Sequence, residues 1–377
     1  MSLGDLLRNR RVLVTLGPGG VGKTTMAAAL GLRAVQAGRS TLVCTIDPAR
    51  RLASSLGVDG LGDEPSRVDL SGLGRTAEDP PLFAMMLDAE LALDRMLLQS
   101  SPEAAGALRG HPLYRVMARE LPGMHEYAAV SRLFELWQES AFDLIVLDTP
   151  PTTHALDFLD APLRIERALD SPAIQWLVRP YLKAGHLSLK MLGGARAYVL
   201  RRLAQIVGTG LLEQMAEFLV LFDGVLGGVR ERTKGVGALL TSPETAFILV
   251  SSPTSANAEE VVVLGEQLAR RRMSASAIVM NRMHITSSGE PLPSEDLARS
   301  LAGVRAVRAL PGDAQLRLLE EIARSHQAFV QLARADQRRL DMVLTRLEGS
   351  PSVAKVPLLP DDIYDLKGLL AVVRHLD

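Results

Sequence analysis

The segment at residues 17–24 constrains this sequence more than any other. It reads Gly-Pro-Gly-Gly-Val-Gly-Lys-Thr and fits the pattern G-x-x-x-x-G-K-[ST] of a phosphate-binding loop. An apolar run at residues 11–16 precedes it, and a helical pattern at residues 24–37 follows it. This order directs the positive end of a helix dipole at the loop, as the binding of a phosphate group requires. We therefore predict that the loop binds a nucleotide together with Mg²⁺.

Each residue type in the loop has a physical task. Glycines let successive backbone N–H groups point at phosphate oxygens. Lys23 is expected to neutralise the β and γ phosphates and to act in catalysis, and the Thr24 hydroxyl is expected to bind Mg²⁺. The predicted nucleotide contacts in the loop are Gly19, Gly20, Val21, Gly22, Lys23, Thr24 and Thr25. The alternative is an ordinary glycine-rich turn.

Short apolar runs alternate with helical patterns along the chain. The runs that predict buried strands are residues 12–16, 41–46, 82–87, 142–147, 247–250, 277–280 and 353–358. Alternation of this kind is typical of a mostly parallel sheet covered by helices on both faces. We predict an α/β fold of three layers, a P-loop NTPase with about seven or eight strands and a helical subdomain.

Two long stretches without strand patterns predict the domain organisation. We expect one domain over residues 1–377, with a nucleotide-binding core at about 8–87, 141–160, 243–285 and 350–377. The helical subdomain is expected at about 88–140 and 160–240, and peripheral helices at about 290–350.

Two aspartates follow predicted strands. Asp47 comes after the run at 41–46, and Asp148 comes after the run at 142–147. Ligands of open parallel sheets bind beyond the carboxyl ends of the strands. An apolar strand that ends in aspartate also provides the magnesium-associated carboxylate of many NTPases. We predict that both aspartates belong to the nucleotide site, while a turn or helix-capping role for each stays open.

Composition excludes several classes of protein. The formal net charge of −1 gives no general attraction to nucleic acid. Cys44 is the single cysteine, so one chain can form neither an internal disulfide nor an all-cysteine zinc site. No stretch reaches the roughly 18 uninterrupted apolar residues of a membrane span, and the loop lies too near the N-terminus for a cleaved signal peptide. We expect a cytoplasmic protein.

Six segments together resemble the family of arsenite-pump ATPases and tail-anchored-protein targeting ATPases, whose members are dimeric P-loop ATPases. They are GPGGVGKTT at 17–25, TIDPARRL at 45–52, ELPGMHEY at 120–127, DTPPTTHAL at 148–156, VMNRM at 279–283 and KVPLLPDDIYDL at 355–366. The second and fourth are similar to the two switch segments of the family. The resemblance covers nearly the whole chain.

The resemblance implies roles for individual residues. Asp47 would orient or deprotonate the attacking water, and Asp148 would support Mg²⁺, both of them acting on the metal through water. Asn281 would bind the adenine edge, and Pro357 and Leu358 would flank the ring. The cofactors would be ATP and Mg²⁺. The partners would be a second copy or a paralogue in a dimer, and an unidentified client protein whose binding depends on the nucleotide.

One departure from the family lies in the phosphate loop itself. Pro18 stands where the family normally has a second lysine that reaches the nucleotide of its dimer partner. Either hydrolysis is slow or another cation takes its place. Arg50 or Arg51 in the first switch could be that cation, although exposed arginines paired with nearby acids are the simpler interpretation. His154 in the second switch could couple nucleotide state to helix movement, or it could be packed or solvated.

Two further departures concern ligand and client. With Cys44 alone, a chain cannot form the three-thiolate arsenite site, and the zinc-binding cysteine pair of the eukaryotic targeting factors is absent. Arsenite and zinc are therefore not expected. Apolar residues recur at helical spacing over residues 211–229, either as core or as a groove for a hydrophobic helix. The alternatives are an arsenite-transport ATPase subunit, a nucleotide-dependent binding or scaffold protein with little turnover, and a carrier of hydrophobic helices.

Overall fold

A computed structural model gives the fold. It describes residues 2–47, 51–114, 116, 124–150, 159–161, 164, 167, 208–286, 294–301 and 304–376. The strands are β1 (Val12–Leu16), β2 (Thr41–Thr45), β3 (Ser66–Arg67), β4 (Leu82–Met86), β5 (Leu144–Asp148), β6 (Thr245–Ser251), β7 (Ala275–Met283) and β8 (Ser352–Pro357). They form an eight-stranded sheet in the order β3-β4-β2-β5-β1-β6-β7-β8. All pairings are parallel except that of β3 with β4.

The helices are numbered here in chain order. They are α1 (Leu3–Asn9), α2 (Lys23–Gln36), α3 (Arg51–Leu56), α4 (Ala89–Ser100), α5 (Pro102–Gly110), α6 (Met124–Glu139), α7 (Thr209–Thr241), α8 (Ser255–Arg270), α9 (Ser294–Leu301), α10 (Arg305–Arg308), α11 (Gly312–Arg346) and α12 (Leu366–Val373). A 3-10 turn lies at Ser71–Leu73.

The sheet is the middle of three layers. Successive side chains of a strand point to opposite faces, so Val12 and Val14 of β1 pack on one side and Leu13 on the other. The first side is covered by α6, α7, α8 and the end of α11. The second side is covered by α1, α2, α3 and α12. Burial on both faces explains why the strands read as continuous apolar runs, and it confirms the predicted α/β class.

The strand order brings the two aspartates to the phosphate loop. From β1 the chain builds β2, β3 and β4 on one side, returns to insert β5 between β2 and β1, and then adds β6, β7 and β8 on the other side. The carboxyl ends of β1, β2 and β5 are therefore neighbours. Parallel pairing aligns Asp148 with Thr15 of β1 and with Thr45 of β2. A ligand site is expected at such a reversal of strand order.

The predicted strands differ from the observed ones mainly at their ends. Asp148 is the last residue of β5 and not the first residue of the following loop, because it pairs with both neighbouring strands. The edge strand β3 was not predicted, because two exposed residues leave no apolar pattern. The remaining seven runs are strands in the structure.

A second cluster of helices lies beside the sheet. Helices α4, α5, α6 and α7 share a buried core that includes Leu97, Tyr127 and Val225. Helix α7 continues through Gly227 and Gly228. At Gly228 a Cβ would collide with Ser100 of α4, so glycine allows the two helices to approach closely.

The apolar stripe at residues 211–229 lies on α7 and is divided between core and surface. Phe218, Val225 and Val229 are buried in the helical cluster, whereas Leu211 and Met215 near the start of the helix are exposed. Burial of the later residues supports core packing for that part of the stripe.

The long helix α11 is fixed to the sheet only in its second half. Val330, Leu340 and Val343 are buried, while most residues before Val330 are exposed or half-buried. Oδ2 of Asp336 accepts the backbone N–H of His284, just after β7, at 2.9 Å. Within the described ranges, none of the helices combines the length and apolar character that a membrane crossing needs.

Candidate nucleotide site

The phosphate-binding loop joins β1 to α2. Gly20 and Gly22 have φ angles of 76° and 93°, in the left-handed region that favours glycine. At Gly17 a Cβ would collide with the carbonyl oxygen of Val250 on β6. Gly22 caps α2 without any side-chain hydrogen bond, so the first N–H groups of the helix lack the usual side-chain acceptor. This geometry resembles an anion site at a helix N-terminus.

Lys23 lies folded over the loop. The side chain is only 7% exposed, and Nζ donates hydrogen bonds to the carbonyl oxygens of Gly17, at 3.0 Å, and Pro18, at 2.8 Å. Burial lowers the pKa of Lys23, and the nearby carboxylate of Asp148 opposes that shift. The ammonium group is thus held at the base of the loop by neutral acceptors.

Asp148 is the most deeply buried acid of the site, with no exposed surface. Its Oδ2 accepts hydrogen bonds from the Thr24 hydroxyl at 2.7 Å and from the Thr45 hydroxyl at 3.0 Å. Its Oδ1 is buried and has no hydrogen-bond partner among the described residues. Burial raises the pKa of Asp148 to about 6, although both hydroxyls and Lys23 act to lower it. A buried acceptor without a donor indicates that a cationic or protonated group belongs nearby.

The oxygen donors around Asp148 fit Mg²⁺. The metal prefers carboxylate, hydroxyl and water oxygens, often with one or two carboxylates and the phosphates of a substrate. Thr24 and Asp148 supply such oxygens beside the first turn of α2, and the unpartnered Oδ1 is an acceptor that water around a cation could satisfy. No cluster of three or more His, Cys, Asp or Glu that could hold a metal alone occurs in the part of the chain that the structure describes.

A cleft of about 670 Å³ opens beside the loop. Its lining residues are Gly20, Gly22, Lys23, Thr24, Thr25, Asp47, Arg51, Ser54, Ser55, Thr149, Arg282, Ile363 and Tyr364. Asp47 is the second predicted carboxylate, and its backbone N–H donates to the Thr45 hydroxyl at 3.2 Å. Arg51 is exposed at the start of α3, on the same cleft. Arg50 and His154 lie outside the described residues.

A smaller cleft of about 330 Å³ adjoins the first one. It is lined by Gly22, Thr25, Asn281, Arg282, Pro357, Leu358, Leu359, Asp361, Asp362, Ile363 and Tyr364. The three residues predicted to contact adenine are therefore found together here. They come from β7 and from the end of β8, which are paired in the sheet. We refer to the two as the phosphate-side cleft and the base-side cleft.

Asn281 connects the base-side cleft to the phosphate loop. Its amide Nδ2 donates to the carbonyl oxygen of Val21 at 2.8 Å, and its Oδ1 accepts the backbone N–H of Arg282 at 2.9 Å. A Cβ on Gly22 would lie 2.6 Å from Nδ2 of Asn281. Each amide atom keeps one further hydrogen-bonding position, because nitrogen carries two hydrogens and oxygen two lone pairs.

Several residues of the two clefts were not predicted. Arg282 and Tyr364 line both clefts, and Thr45 and Thr149 place hydroxyls near Asp148 or the cleft. A charged residue directly after Asn281, in an otherwise apolar strand, is a signal that could have identified Arg282. Thr45, Thr149 and Tyr364 lie in the quoted segments at 45–52, 148–156 and 355–366, but nothing within those segments marks them as site residues.

The loop, the buried aspartate at the end of a neighbouring strand and the parallel sheet define a P-loop NTPase. The family described as "Anion-transporting ATPase" matches residues 10–293. The chain belongs to this ATPase family. The predicted family is thereby confirmed, and the match includes the first five of the six sequence segments but not the segment at 355–366.

Individual relatives show how far the similarity extends. An uncharacterized protein of Streptomyces coelicolor is 30% identical over 276 residues, which are 72% of this chain and 62% of the relative. A protein of Aquifex aeolicus provisionally named arsenical pump-driving ATPase 1 is 28% identical over 247 residues, 64% of this chain and 56% of its own. The ATPase GET3 of Podospora anserina is 26% identical over 284 residues, 75% and 76% of the two chains. The match thus spans less than two thirds of the length of the first two relatives.

Proposed function

We propose that this chain binds Mg-ATP, hydrolyses it and uses the nucleotide state to control its association with other proteins. The observation that carries the proposal is Asp148, a buried carboxylate beside the phosphate loop that is bonded to the Thr24 hydroxyl and has one acceptor without a donor. Membership of an ATPase family supports ATP as the nucleotide. Such a protein would act in the cytoplasm.

The phosphates would be bound by the loop. Backbone N–H groups from Gly19 to Thr25 would donate to phosphate oxygens, with the dipole of α2 adding to the attraction. Lys23 would exchange its two carbonyl acceptors for the β and γ phosphates. Because the lysine is already buried at the loop, it loses little conformational freedom in doing so.

The metal would lie between the loop and the two carboxylates. Thr24 would donate its hydroxyl oxygen to Mg²⁺, and Asp47 and Asp148 would hold the water molecules around it. When bound, Mg²⁺ would supply positive charge that offsets the charge of the phosphates. Asp47 faces the phosphate-side cleft, where it could orient an attacking water and accept its proton.

The base would occupy the base-side cleft. Asn281 would use the remaining hydrogen-bonding positions of its amide for the adenine edge, and Pro357 and Leu358 would flank the ring. These three residues lie close to the phosphate loop through the bond from Asn281 to Val21. A nucleotide would therefore bridge two clefts that share their lining at Gly22 and Thr25.

The switch would operate through α3. This short helix carries Arg51 on the phosphate-side cleft and buries Leu52 and Leu56 against the layer of α2 and α12. A triphosphate that attracts Arg51 would shift α3 and the surface around it. We propose that this surface closes on a second copy or a paralogue, and that closure governs binding of a client, which could be a hydrophobic helix.

Calorimetry tests the binding part of the proposal. Wild-type protein should bind ATP in the presence of Mg²⁺, and Lys23→Ala should bind about 10- to 100-fold more weakly, because hydrogen bonds to charged groups contribute about 1.5–3 kcal/mol. Lys234→Ala, at an exposed position of α7, is the matched control. Absence of ATP binding by the wild type, or equal affinity in Lys23→Ala, would remove the proposal.

A trapped state tests the switch. Asp47→Asn should keep ATP affinity, lose hydrolysis and accumulate a dimer or a client complex when ATP is added. Normal turnover in this variant would exclude the role given to Asp47. Arg51→Ala should weaken ATP-dependent dimerisation, and unchanged turnover together with unchanged dimerisation would exclude Arg51 as the replacement for the missing loop lysine.

A second candidate function follows from Pro18. Proline supplies no charge where the family has lysine, so the chain could be a nucleotide-dependent binding protein with little turnover. Tight ATP binding with a turnover rate near zero in the wild type would favour this function over that of a cycling ATPase. The same assay with protein in molar excess over ATP would also reveal a single slow turnover.

A further inference from the structure

Arg282 has an unusual backbone conformation for its position. Four non-glycine residues in the described part of the chain have positive φ, namely Ser140, Arg272, Arg282 and Ser350. The other three follow shortly after helices, whereas Arg282 lies inside β7, with φ of 61°. The pairing of β7 with β8 is irregular at this point, between Met280 and Met283. A left-handed conformation in a strand is strained for arginine and often marks a functional position.

The side chain of Arg282 points toward the phosphate loop. Its Nη1 donates a hydrogen bond to the carbonyl oxygen of Gly20 at 3.2 Å. Its backbone N–H is held by Oδ1 of Asn281 at 2.9 Å, and the amide of Asn281 is held by Val21. Two hydrogen bonds thus join the strand end to the loop, and one of them comes from an exposed cationic group.

Arg282 also stands where the two clefts meet. It contributes to the lining of the phosphate-side cleft and of the base-side cleft. A nucleotide with its terminal phosphates at Lys23 and its base at Asn281 must pass this junction with its sugar and the adjoining α-phosphate. Guanidinium groups bind phosphate oxygens with two parallel N–H donors, which suits an exposed arginine at such a place.

The negative charge of a triphosphate requires positive charge at this site. A triphosphate carries several negative charges, and Pro18 adds none to the loop that could balance them. The base-side cleft contains the acids Asp361 and Asp362, which would repel a phosphate that strayed toward the base. A cation between the acids and the loop would therefore fix the position of the α-phosphate.

We propose that Arg282 is a nucleotide-binding residue that pairs with the α-phosphate, held ready for it by the Gly20 carbonyl. This rests on the proposed ATP binding and adds a contact at the junction of the clefts. Because the α-phosphate is common to ATP and ADP, the contact contributes equally to both. Arg282 therefore strengthens nucleotide binding without distinguishing the two nucleotide states.

Calorimetric titration of ATP and ADP into four variants tests the proposal. Arg282→Ala should weaken both nucleotides by a similar factor, about 10-fold or more. Arg282→Lys should recover part of the loss because it keeps the charge. Arg282→Gln keeps an N–H donor for the Gly20 carbonyl but has no charge. Its loss of nucleotide affinity should equal that of Arg282→Ala. Arg305→Ala, an exposed arginine on α10, is the control.

A fifth variant separates binding from folding. Arg282→Gly adopts the positive φ without strain, so its thermal melting should match or exceed that of the wild type while its affinity falls like that of Arg282→Ala. Affinity equal to wild type in Arg282→Ala, a loss confined to ATP, or full affinity in Arg282→Gln would each overturn the proposal. These results differ from a failure of ATP binding in the wild type, which would overturn the proposed function instead.

Discussion

The hydroxyl of Thr24 donates a 2.7 Å hydrogen bond to Oδ2 of Asp148, and so joins the first turn of α2 to the end of β5. This bond occupies one carboxylate oxygen and leaves the other, Oδ1, buried without a partner among the described residues. The pair therefore combines a hydroxyl suited to Mg²⁺ with a carboxylate whose charge is poorly compensated before a cation arrives.

Replacement of Asp148 by asparagine should stabilise the nucleotide-free protein at neutral pH. Burial raises the pKa of Asp148 from 3.8 to about 6, so the folded chain binds this proton more tightly than the unfolded chain. Stability is then lost as pH rises from about 4 to 6, and the cost above pH 6 is about 3 kcal/mol. Asp148→Asn avoids this cost while its Mg-ATP binding falls.

Denaturant unfolding in EDTA, from pH 4 to pH 8, measures this effect. At pH 8 the free energy of unfolding of Asp148→Asn should exceed that of the wild type by about 1–3 kcal/mol, and this difference should shrink toward pH 4. Asp59→Asn, at an exposed position, is the matched control. A pH-independent difference, or a less stable variant at pH 8, would contradict the assigned burial cost.

Thr24→Val should abolish the contribution of Mg²⁺ to ATP affinity. Valine has nearly the shape of threonine but lacks the oxygen that would bind the metal, whereas Thr24→Ser retains it. The wild type and Thr24→Ser should bind ATP much more tightly in Mg²⁺ than in EDTA. Thr24→Val should bind ATP with nearly the same affinity in both conditions. An unchanged ratio of the two affinities in Thr24→Val would exclude this hydroxyl as a metal ligand.

Alanine at Gly22 should be far more harmful than alanine at Gly20. Both glycines have positive φ, so each substitution costs about 1 kcal/mol of backbone strain. At Gly22 the added Cβ would also lie 2.6 Å from Nδ2 of Asn281, whereas at Gly20 it meets nothing within 4 Å. Denaturant unfolding should show the larger loss of stability for Gly22→Ala, and ATP titration should show the larger loss of affinity for the same variant. Equal losses would mean that Asn281 can move away without consequence.

Cys44 should be inert in the folded protein. It lies in β2 with no exposed surface, and burial raises the pKa of its thiol to about 12. A thiol reagent should therefore react only as the protein unfolds, and arsenite should leave the ATPase rate unchanged in the wild type and in Cys44→Ala. Arsenite stimulation that disappears in Cys44→Ala would revive the arsenite-transport alternative.

Much of the fold was predictable because a strand buried on both faces of a parallel sheet appears in the sequence as a continuous apolar run. Strands covered on both faces must be apolar along their whole length, which is why β1, β2 and β6 were recognised from their residues. The phosphate loop was recognised because its glycines and Lys23 follow from phosphate geometry. Edge strand β3 lacks both signals, since it is short and exposed.

The finer structure of the site could not be predicted in this way. The sequence places Arg282 in a strand, but only the tertiary structure shows its left-handed backbone and its bond to Gly20. The position of Tyr364 on both clefts depends on how the chain turns after β8, which local patterns do not determine. The burial that shifts the pKa of Asp148 likewise depends on neighbouring strands that are distant in sequence.

The wall of the base-side cleft brings together segments that are far apart in the sequence. Pro357, Leu358 and Tyr364 belong to the last strand and the segment after it, whereas the phosphate loop lies near the start of the chain. Under the proposed function, the contacts to the base would be complete only while the edge strand β8 is paired with β7, so opening of this one strand pairing would weaken nucleotide binding.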